Sequence, residues 1–239
     1  MSSEHSATLY LVPSTLGEVA PEAVIPSPVL ERVRALRHFV AENEKSARAF
    51  LKSVRVEVPL RELTIERLDH NTPASRLPEL FAPLAAGRDA GLVSEAGMPA
   101  VADPGAALVR LAHERGVRVV PLVGPSSIIL ALAASGLEGQ RFAFHGYLPV
   151  EEQDLVAALK QLESESRRVG CTQIFIETPY RNDRTLEVML RALARETLVC
   201  VASELTLAAE SVRTRTVAQW RAEPPALQDR PAVFLLLAR

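Results

Sequence analysis

The sequence predicts an α/β protein with two small domains, and three features support this prediction. The length of 239 residues suits two compact units better than one large core. Short apolar runs alternate with loops and helical patterns over residues 1–137, which is typical of a parallel sheet with crossover helices. The alternation restarts after Gly136. We therefore predict an N-terminal α/β domain over residues 1–137 and a C-terminal α+β domain with a mixed sheet over residues 138–239.

The first predicted strand is the apolar run Thr8 to Val12, which opens into a loop containing Leu16. Residues 29–53 then fit one long helix by periodicity. They fit equally well a helix interrupted by a short strand over residues 36–41. In the second arrangement Asn43 caps a basic helix, because asparagine favours the N-cap position. Periodicity leaves both arrangements open.

Two further units of helix, strand and loop complete the first domain. A helix over residues 74–86 precedes a buried strand at Gly91 to Ser94. Asp103 is predicted to cap the next helix, whose first residue would be Pro104. The strand over residues 117–123 then runs into a Gly-Pro-Ser-Ser turn and an apolar helix.

The second domain is predicted to contain four strands and two long helices. In chain order these are a strand ending at Pro149, a helix over residues 151–168, a strand over 173–177, a helix over 180–195, the strand LVCVASE and the strand AVFLLLA.

Composition excludes several classes of protein. Hydrophobic residues make up 48% and charged residues 23% of the chain, as in ordinary globular proteins. No apolar run reaches the roughly 18 residues of a membrane-spanning helix, so we expect a cytoplasmic protein. Cys171 and Cys200 have no ligand-forming neighbours at metal-site spacing, which predicts free thiols and no metal. The net charge of −2 neither supports nor excludes an RNA substrate.

Three loops rich in glycine, serine and proline follow predicted strands, beginning at Ser14, Ser94 and Gly124. Ligands of open α/β sheets bind where such loops meet at the carboxyl ends of the strands. A small-molecule cleft is therefore predicted, although each loop taken alone also fits a simple turn. The glycine motifs of dinucleotide-binding and nucleotide-hydrolysing sites are absent, and so is the G-x-S-x-G motif of hydrolases.

Five segments resemble motifs of the ribosomal RNA cytidine 2′-O-methyltransferases, which belong to the tetrapyrrole methylase superfamily. In chain order they are SEAGMPAVADPG at 94–105 beside SDAGTP-x-x-x-DPG, LVGPSSIILALAASGL at 122–137 beside P-x-PGPSA, RFAFHGYLP at 141–149 beside RF-x-F-x-GFLP, IFIETPYR at 174–181 beside a strand with an ESPHR turn, and SELT at 203–206 beside RELT. Their order and spacing extend over nearly the whole chain.

The resemblance implies an S-adenosyl-L-methionine-dependent methyltransferase with two α/β domains, a cofactor cleft between them, and a homodimeric assembly. The acceptor would be ribosomal RNA or a small molecule of the tetrapyrrole type; a cofactor-binding module without activity is the remaining alternative. The residues that it implies for cofactor binding are Leu16, Ser94, Glu95, Ala96, Gly97, Met98, Val101, Gly124, Pro125, Ser126, Ser127, Glu177, Thr178 and Ser203. Because backbone at Gly124 would face the cofactor, Gly124→Val is expected to block binding and to leave folding intact.

Departures from the family pattern concern the acceptor side. The first loop reads STLGEV where these enzymes have G-N-L-x-D, and AENEKSA at 41–47 stands where they have A-E-D-T-R. We therefore expect retained cofactor binding and a changed acceptor site. Glu42 is the candidate for a substrate-facing base, and Arg181 is the candidate for an anion contact.

Overall fold

The computed structural model describes residues 7–227 and 229–238. The chain divides into two units, residues 1–126 and 127–239, each with its own sheet. They are called unit 1 and unit 2 below. None of the helices in the described ranges is long and apolar enough to cross a membrane.

Unit 1 is built on a five-stranded sheet with the order β3-β2-β4-β1-β5, in which every paired strand is parallel. Its elements are β1 (Thr8–Val12), α1 (Ser27–Ala35), β2 (His38–Ala41), α2 (Glu44–Val54), β3 (Thr64–Arg67), α3 (Leu77–Ala85), β4 (Ala90–Val93), α4 (Ala106–Glu114) and β5 (Arg118–Pro121). All four residues of β4 are buried, as expected for an inner strand of a parallel sheet. The predicted parallel α/β architecture of this unit is confirmed.

The structure decides between the two arrangements of residues 29–53 in favour of the interrupted helix. The Asn43 side chain accepts hydrogen bonds from the backbone N–H groups of Lys45 at 2.9 Å and Ser46 at 3.3 Å. These bonds satisfy two donors that the first turn of α2 leaves unpaired. The cap places α2 directly after β2, with its N-terminus at the carboxyl edge of the sheet.

The predicted helix cap at Asp103 is wrong. Helix α4 begins at Ala106, its N-cap is Gly105, and no side chain caps it. Gly105 has a φ of +136°, and a Cβ there would lie 2.7 Å from Leu92 Cδ2. The chain needs glycine at this tight turn beside Leu92. The helix therefore starts two residues later than Pro104, and the Asp103 carboxylate remains in the loop.

Unit 2 is built on a mixed sheet with the order β6-β7-β10-β8-β9. Strands β6 and β7 are parallel, and the other pairs are antiparallel. The elements are α5 (Ser127–Ser135), β6 (Phe142–Tyr147), α6 (Glu152–Val169), β7 (Thr172–Ile176), α7 (Asn182–Ala192), β8 (Leu198–Ser203), β9 (Ser211–Thr216), α8 (Val217–Ala222) and β10 (Ala232–Leu237). The core includes Trp220 and the stacked rings of Phe175 and Phe234, whose centroids lie 5.4 Å apart. The predicted mixed sheet is confirmed.

Two features of unit 2 differ from the sequence-based expectation. The division between the units falls at Ser126, earlier than the expected residue 137, because α5 packs on the second sheet. The Thr214 hydroxyl of β9 donates to the Ser135 carbonyl of α5 at 2.6 Å. Strand β9 itself is a polar edge strand, SVRTRT, and it lacks the apolar alternation that marks a strand in sequence. Both cysteines are free thiols.

Candidate functional site

The three predicted loops of unit 1 follow β1, β4 and β5, which are neighbours in the sheet. The backbones of the first two are joined, since the Ser14 N–H donates to the Gly97 carbonyl at 3.0 Å and the Gly97 N–H donates to Ser14 at 3.3 Å. The buried Ser94 hydroxyl also donates to the Gly97 carbonyl, at 2.6 Å. These bonds fix the start of the second loop over the end of β1.

Gly97 is the point at which all three loops meet. Its φ is +78°, and a Cβ there would lie 3.1 Å from Leu16 Cδ2 of the first loop and 3.4 Å from the Pro125 carbonyl oxygen of the third. Only glycine combines this backbone conformation with such close neighbours at little cost. Leu16, Gly97, Pro125 and Ser126, which were predicted on three separate loops, therefore lie together at one edge of the sheet.

The role expected for Gly124 needs correction. A Cβ at this position would lie 2.3 Å and 2.4 Å from two carbons of the Pro13 ring. Carbon atoms cannot approach so closely, so a side chain at Gly124 collides with the protein itself before any ligand is considered. The expectation that Gly124→Val leaves folding intact is therefore wrong. Glycine is required here for the packing of the third loop against the first.

The remaining predicted residues of these loops differ in exposure. Ser94 and Pro125 are buried, Met98, Ser126 and Ser127 are partly buried, and Glu95, Ala96 and Val101 are exposed. Ser127 begins α5 and is therefore the first residue of unit 2. Buried members hold the loops in place, whereas exposed members offer their surfaces to a ligand.

Acidic side chains occupy the same edge of the sheet next to these loops. Glu42 follows β2 directly, and its neighbour Ala41 pairs with Val93, so that Glu42 lies level with Ser94. Glu95 accepts a hydrogen bond from the Ser46 hydroxyl at 2.7 Å. His70, which follows β3, lies 3.9 Å from Glu42, measured from Nε2 to Oε1. Asp103 lies in the same loop as Glu95.

Two acids in this group have a raised pKa. The pKa of Asp103 is raised to about 6, mainly by burial and also by the carboxylates of Glu42 and Glu95, against an opposing effect of His70. Burial likewise raises the pKa of Glu42, and Glu95 adds to that shift. Such shifts mark groups whose loss of hydration is not fully offset by neighbouring cations. A positively charged ligand, such as a sulfonium or an ammonium group, is what these carboxylates fit.

In unit 2, Glu177 and Arg181 form a buried ion pair after β7. Arg181 Nη2 lies 3.0 Å from Glu177 Oε2, although the angle is not that of a hydrogen bond. The other carboxylate oxygen accepts from the backbone N–H of Thr178 at 2.8 Å and from its hydroxyl at 3.2 Å. Arg181 was predicted as an anion contact, and here its anion is Glu177 of the same turn.

Sequence reasoning missed Asn182 and Thr206, which lie at the same edge of the second sheet. Asn182 is fully buried; its amide donates to the Arg230 carbonyl at 2.6 Å, and its Oδ1 has no hydrogen-bond partner among the described residues. The Thr206 hydroxyl, like Asn182 Oδ1, has no such partner in the described part of the chain. Ser203, predicted from the same SELT motif, is buried at the end of β8. Only the motif itself gave a signal for Thr206.

A cavity of about 630 Å³ lies elsewhere in unit 2, and none of its lining residues was predicted. It is lined by Asp183, Leu186, Glu187, Leu190, Arg191, Arg221, Pro224 and Pro225. Its polar groups already have protein partners: Asp183 accepts from the Leu227 N–H at 2.7 Å, and Arg221 Nε donates to the Leu190 carbonyl at 2.6 Å. Among the described residues, no group of three or more His, Cys, Asp or Glu side chains is arranged to hold a metal ion.

The sequence profile of the family Tetrapyrrole (Corrin/Porphyrin) Methylases matches residues 22–220. The chain belongs to this family. Among solved structures, the crystal structure of the methyltransferase CobJ superposes with a TM-score of 0.62 over 97% of this chain and 93% of its own length. At 19% identity, that likeness supports the fold alone. The predicted two-sheet α/β fold of this methylase family is confirmed.

The curated relatives of this tetrapyrrole methylase family member include proteins named ribosomal RNA small subunit methyltransferase I. That of Escherichia coli O157:H7 is 36% identical and covers 88% of this chain and 70% of its own length. Those of Mesorhizobium japonicum and Vibrio cholerae are 36% and 33% identical, covering 87% and 90% of this chain and 67% and 72% of their own lengths. The prediction that the chain is a methyltransferase is confirmed.

Proposed function

We propose that the protein transfers the methyl group of S-adenosyl-L-methionine to a ribose hydroxyl of ribosomal RNA. The observation that carries this proposal is the meeting of the loops after β1, β4 and β5 at Gly97, in a chain whose relatives are named as ribosomal RNA methyltransferases. Each of these loops had been identified from its glycine, serine and proline residues after a predicted strand. Methyl transfer depends mainly on the in-line positioning of the donor and the acceptor.

The cofactor contacts proposed for unit 1 are the backbone of residues 94–98 and the turn at Pro125 and Ser126, which continues into Ser127 at the start of unit 2. Exposed Glu95 offers a carboxylate for the amino group of the methionine moiety. In unit 2 the proposed contacts are Glu177, Thr178 and Ser203. When bound, S-adenosylmethionine supplies an electrophilic methyl group on a positively charged sulfur, which the acidic groups of unit 1 complement.

The sequence contains three basic clusters, at residues 32–37, 45–52 and 181–195, and one of them suits an RNA contact. Residues 32–37 are engaged within the protein: Arg34 Nε donates to the Val54 carbonyl at 2.8 Å, and Arg37 pairs with Glu57 at 3.3 Å. In the cluster at 181–195, both Arg184 and Arg191 pair with Glu152. Lys45 and Lys52 of α2, in contrast, are exposed, and neither forms an ion pair with any residue of the described ranges.

Reversing the charge of α2 tests this RNA contact. The double substitution Lys45→Glu and Lys52→Glu should weaken binding of small-subunit ribosomal RNA about tenfold or more and reduce the salt dependence of binding, because fewer counterions are released. Cofactor affinity should stay within about twofold. Lys160→Glu, an exposed lysine on α6, is the matched control and should have a smaller effect. Equal weakening by the control variant would contradict a contact on α2.

The acceptor is tested by mapping ribose methylation in ribosomal RNA from cells with and without the protein. One lost methyl group that the purified protein restores would support the proposal. An unchanged map, together with methyl transfer to a small molecule in cell extract, would favour the alternative of a tetrapyrrole-type acceptor. A module without activity would bind S-adenosylmethionine in calorimetry but would transfer no methyl group in either assay.

A homodimer acting in the cytoplasm is part of the proposal. Helix α5 buries Ile128, Ala131 and Leu132 on the second sheet, while Ile129 and Leu130 on its opposite side are 52% and 38% exposed. Large apolar side chains that remain exposed on one helix are typical of a contact surface. Sedimentation equilibrium should give twice the mass of the 26.0 kDa chain, and Ile129→Asp should lower it. A monomer at micromolar concentration would contradict this part of the proposal.

A further inference from the structure

Among the described residues, Asp103 differs from the other carboxylates of unit 1 in that its Oδ2 is buried and has no hydrogen-bond partner. The expected structural role, capping of α4, does not exist, since that helix begins at Ala106 without a side-chain cap. An unpaired buried carboxylate oxygen costs stability and calls for a reason to be there.

The loop that carries Asp103 contains two alanines in the left-handed backbone conformation. Ala100 and Ala102 have φ values of +62° and +64°, a region that costs about 1 kcal/mol or more for each residue other than glycine. The same loop begins at Gly97, where the three motif loops meet. Asp103 therefore lies in the segment proposed to bind the methyl donor, and its carboxylate is left free for another partner.

We propose that Asp103 is the catalytic residue that takes the proton from the acceptor hydroxyl. Proton removal is needed because the proposed acceptor is a hydroxyl, so this role rests on the function proposed above. The hydroxyl oxygen forms a bond to the methyl carbon, and the methyl–sulfur bond breaks with its electron pair left on sulfur. The Asp103 carboxylate receives the hydroxyl proton and then releases it to solvent.

The charged groups around Asp103 fit this role. Glu42, Glu95 and His70 are the groups whose charges reach it, from the ends of β2, β4 and β3. Burial, together with the two carboxylates, makes Asp103 a stronger base than an exposed aspartate, with a pKa of about 6, and it remains mostly ionised at neutral pH. Glu42, the base expected from sequence, lies beside His70 and modulates Asp103 in this arrangement.

The test combines kinetics with a titration of the cofactor-free protein. Asp103→Asn should lower kcat/KM for methyl transfer to unmethylated small ribosomal subunits by about 100-fold or more, the usual contribution of a general base. Its affinity for S-adenosylhomocysteine should stay within about threefold. The wild-type kcat/KM should fall below about pH 6, and Glu42→Gln should move that decline to lower pH because a like charge is removed.

Carboxyl carbon NMR of the cofactor-free protein gives the readout that does not depend on turnover. One aspartate signal should titrate near pH 6, disappear in Asp103→Asn, and shift to lower pH in Glu42→Gln. Wild-type kcat/KM in Asp103→Asn, or an Asp103 signal that titrates near pH 4, would overturn this role and leave the proposed function standing. Absence of any methyl transfer to ribosomal RNA by the wild-type protein would overturn both.

Discussion

Carboxylates at the two sheet edges have opposite partners. In unit 2, Glu177 lies 3.0 Å from Arg181 and Glu204 lies 3.6 Å from Arg230, so each acid after β7 and β8 has a cation beside it. In unit 1, burial and the charges of other carboxylates raise the pKa values of Glu42 and Asp103, although His70 lies 3.9 Å from Glu42. The contrast fits a structural role for the ion pairs of unit 2 and the ligand and proton-transfer roles proposed for the acids of unit 1.

The largest effect on stability is expected at Gly124, where the third loop of unit 1 packs against the first through uncharged groups. Gly124→Ala places a Cβ about where it would collide with Pro13, at 2.3 Å, and should lower the free energy of unfolding by about 3 kcal/mol. Gly139→Ala is the matched control, because a Cβ there meets no atom within 4 Å; its effect should stay below about 0.5 kcal/mol. Urea denaturation measures both. Equal stability of the two variants would show that the first and third loops do not pack as described.

Breaking the ion pair of unit 2 should have the next largest effect. Arg181→Ala leaves the Glu177 carboxylate, with a side chain only 1% exposed, without its cation, which should cost about 3 kcal/mol. The exposed pair of Arg168 with Glu165 provides the control, and Arg168→Ala should cost less than about 0.5 kcal/mol. Thermal unfolding at neutral pH compares them. If Arg181→Ala lowered stability no more than Arg168→Ala, the proposed electrostatic difference between the two sheet edges would be contradicted.

Replacement of Asp103, whose Oδ2 has no hydrogen-bond partner among the described residues, should raise the stability of the protein instead of lowering it. Its effect should be the smallest of the three. The pKa of Asp103 is raised from 3.8 to about 6. The free energy of unfolding therefore decreases as the pH rises through this range, and it stays lower at higher pH. Asp103→Asn should therefore stabilise the protein at pH 8, by about 1 kcal/mol given the access of solvent to this loop. The gain should vanish near pH 4. A loss of stability at pH 8 would show that Asp103 has a structural partner.

Motifs and periodicity predicted the fold well where the chain uses strong local signals. The parallel sheet of unit 1 and the loops at Leu16, Gly97 and Pro125 follow from apolar runs and turn residues, whereas the cap at Asn43 belonged to one of two arrangements that periodicity left open. Strand β9 was missed because its polar residues suit an exposed edge.

Long-range packing explains what the sequence could not predict. The contact of Gly124 with Pro13 joins residues more than a hundred positions apart, and the position of Gly105 under Leu92 moves the start of α4 away from Asp103. Local capping preferences favoured Asp103 as a cap because they contain no information about such contacts. Because Asp103 does not cap α4, its Oδ2 stays without a hydrogen-bond partner in the described ranges, and the proposed catalytic role depends on this feature.

Hydrogen–deuterium exchange with and without S-adenosylhomocysteine tests most directly whether the meeting loops form the cofactor site. The site proposed here predicts slower exchange on ligand addition at residues 13–17, 94–105 and 122–127 of unit 1 and at 177–182 of unit 2, with no change at the cavity lined by Leu186, Leu190 and Arg221. Protection confined to that cavity, or none at millimolar ligand, would contradict it.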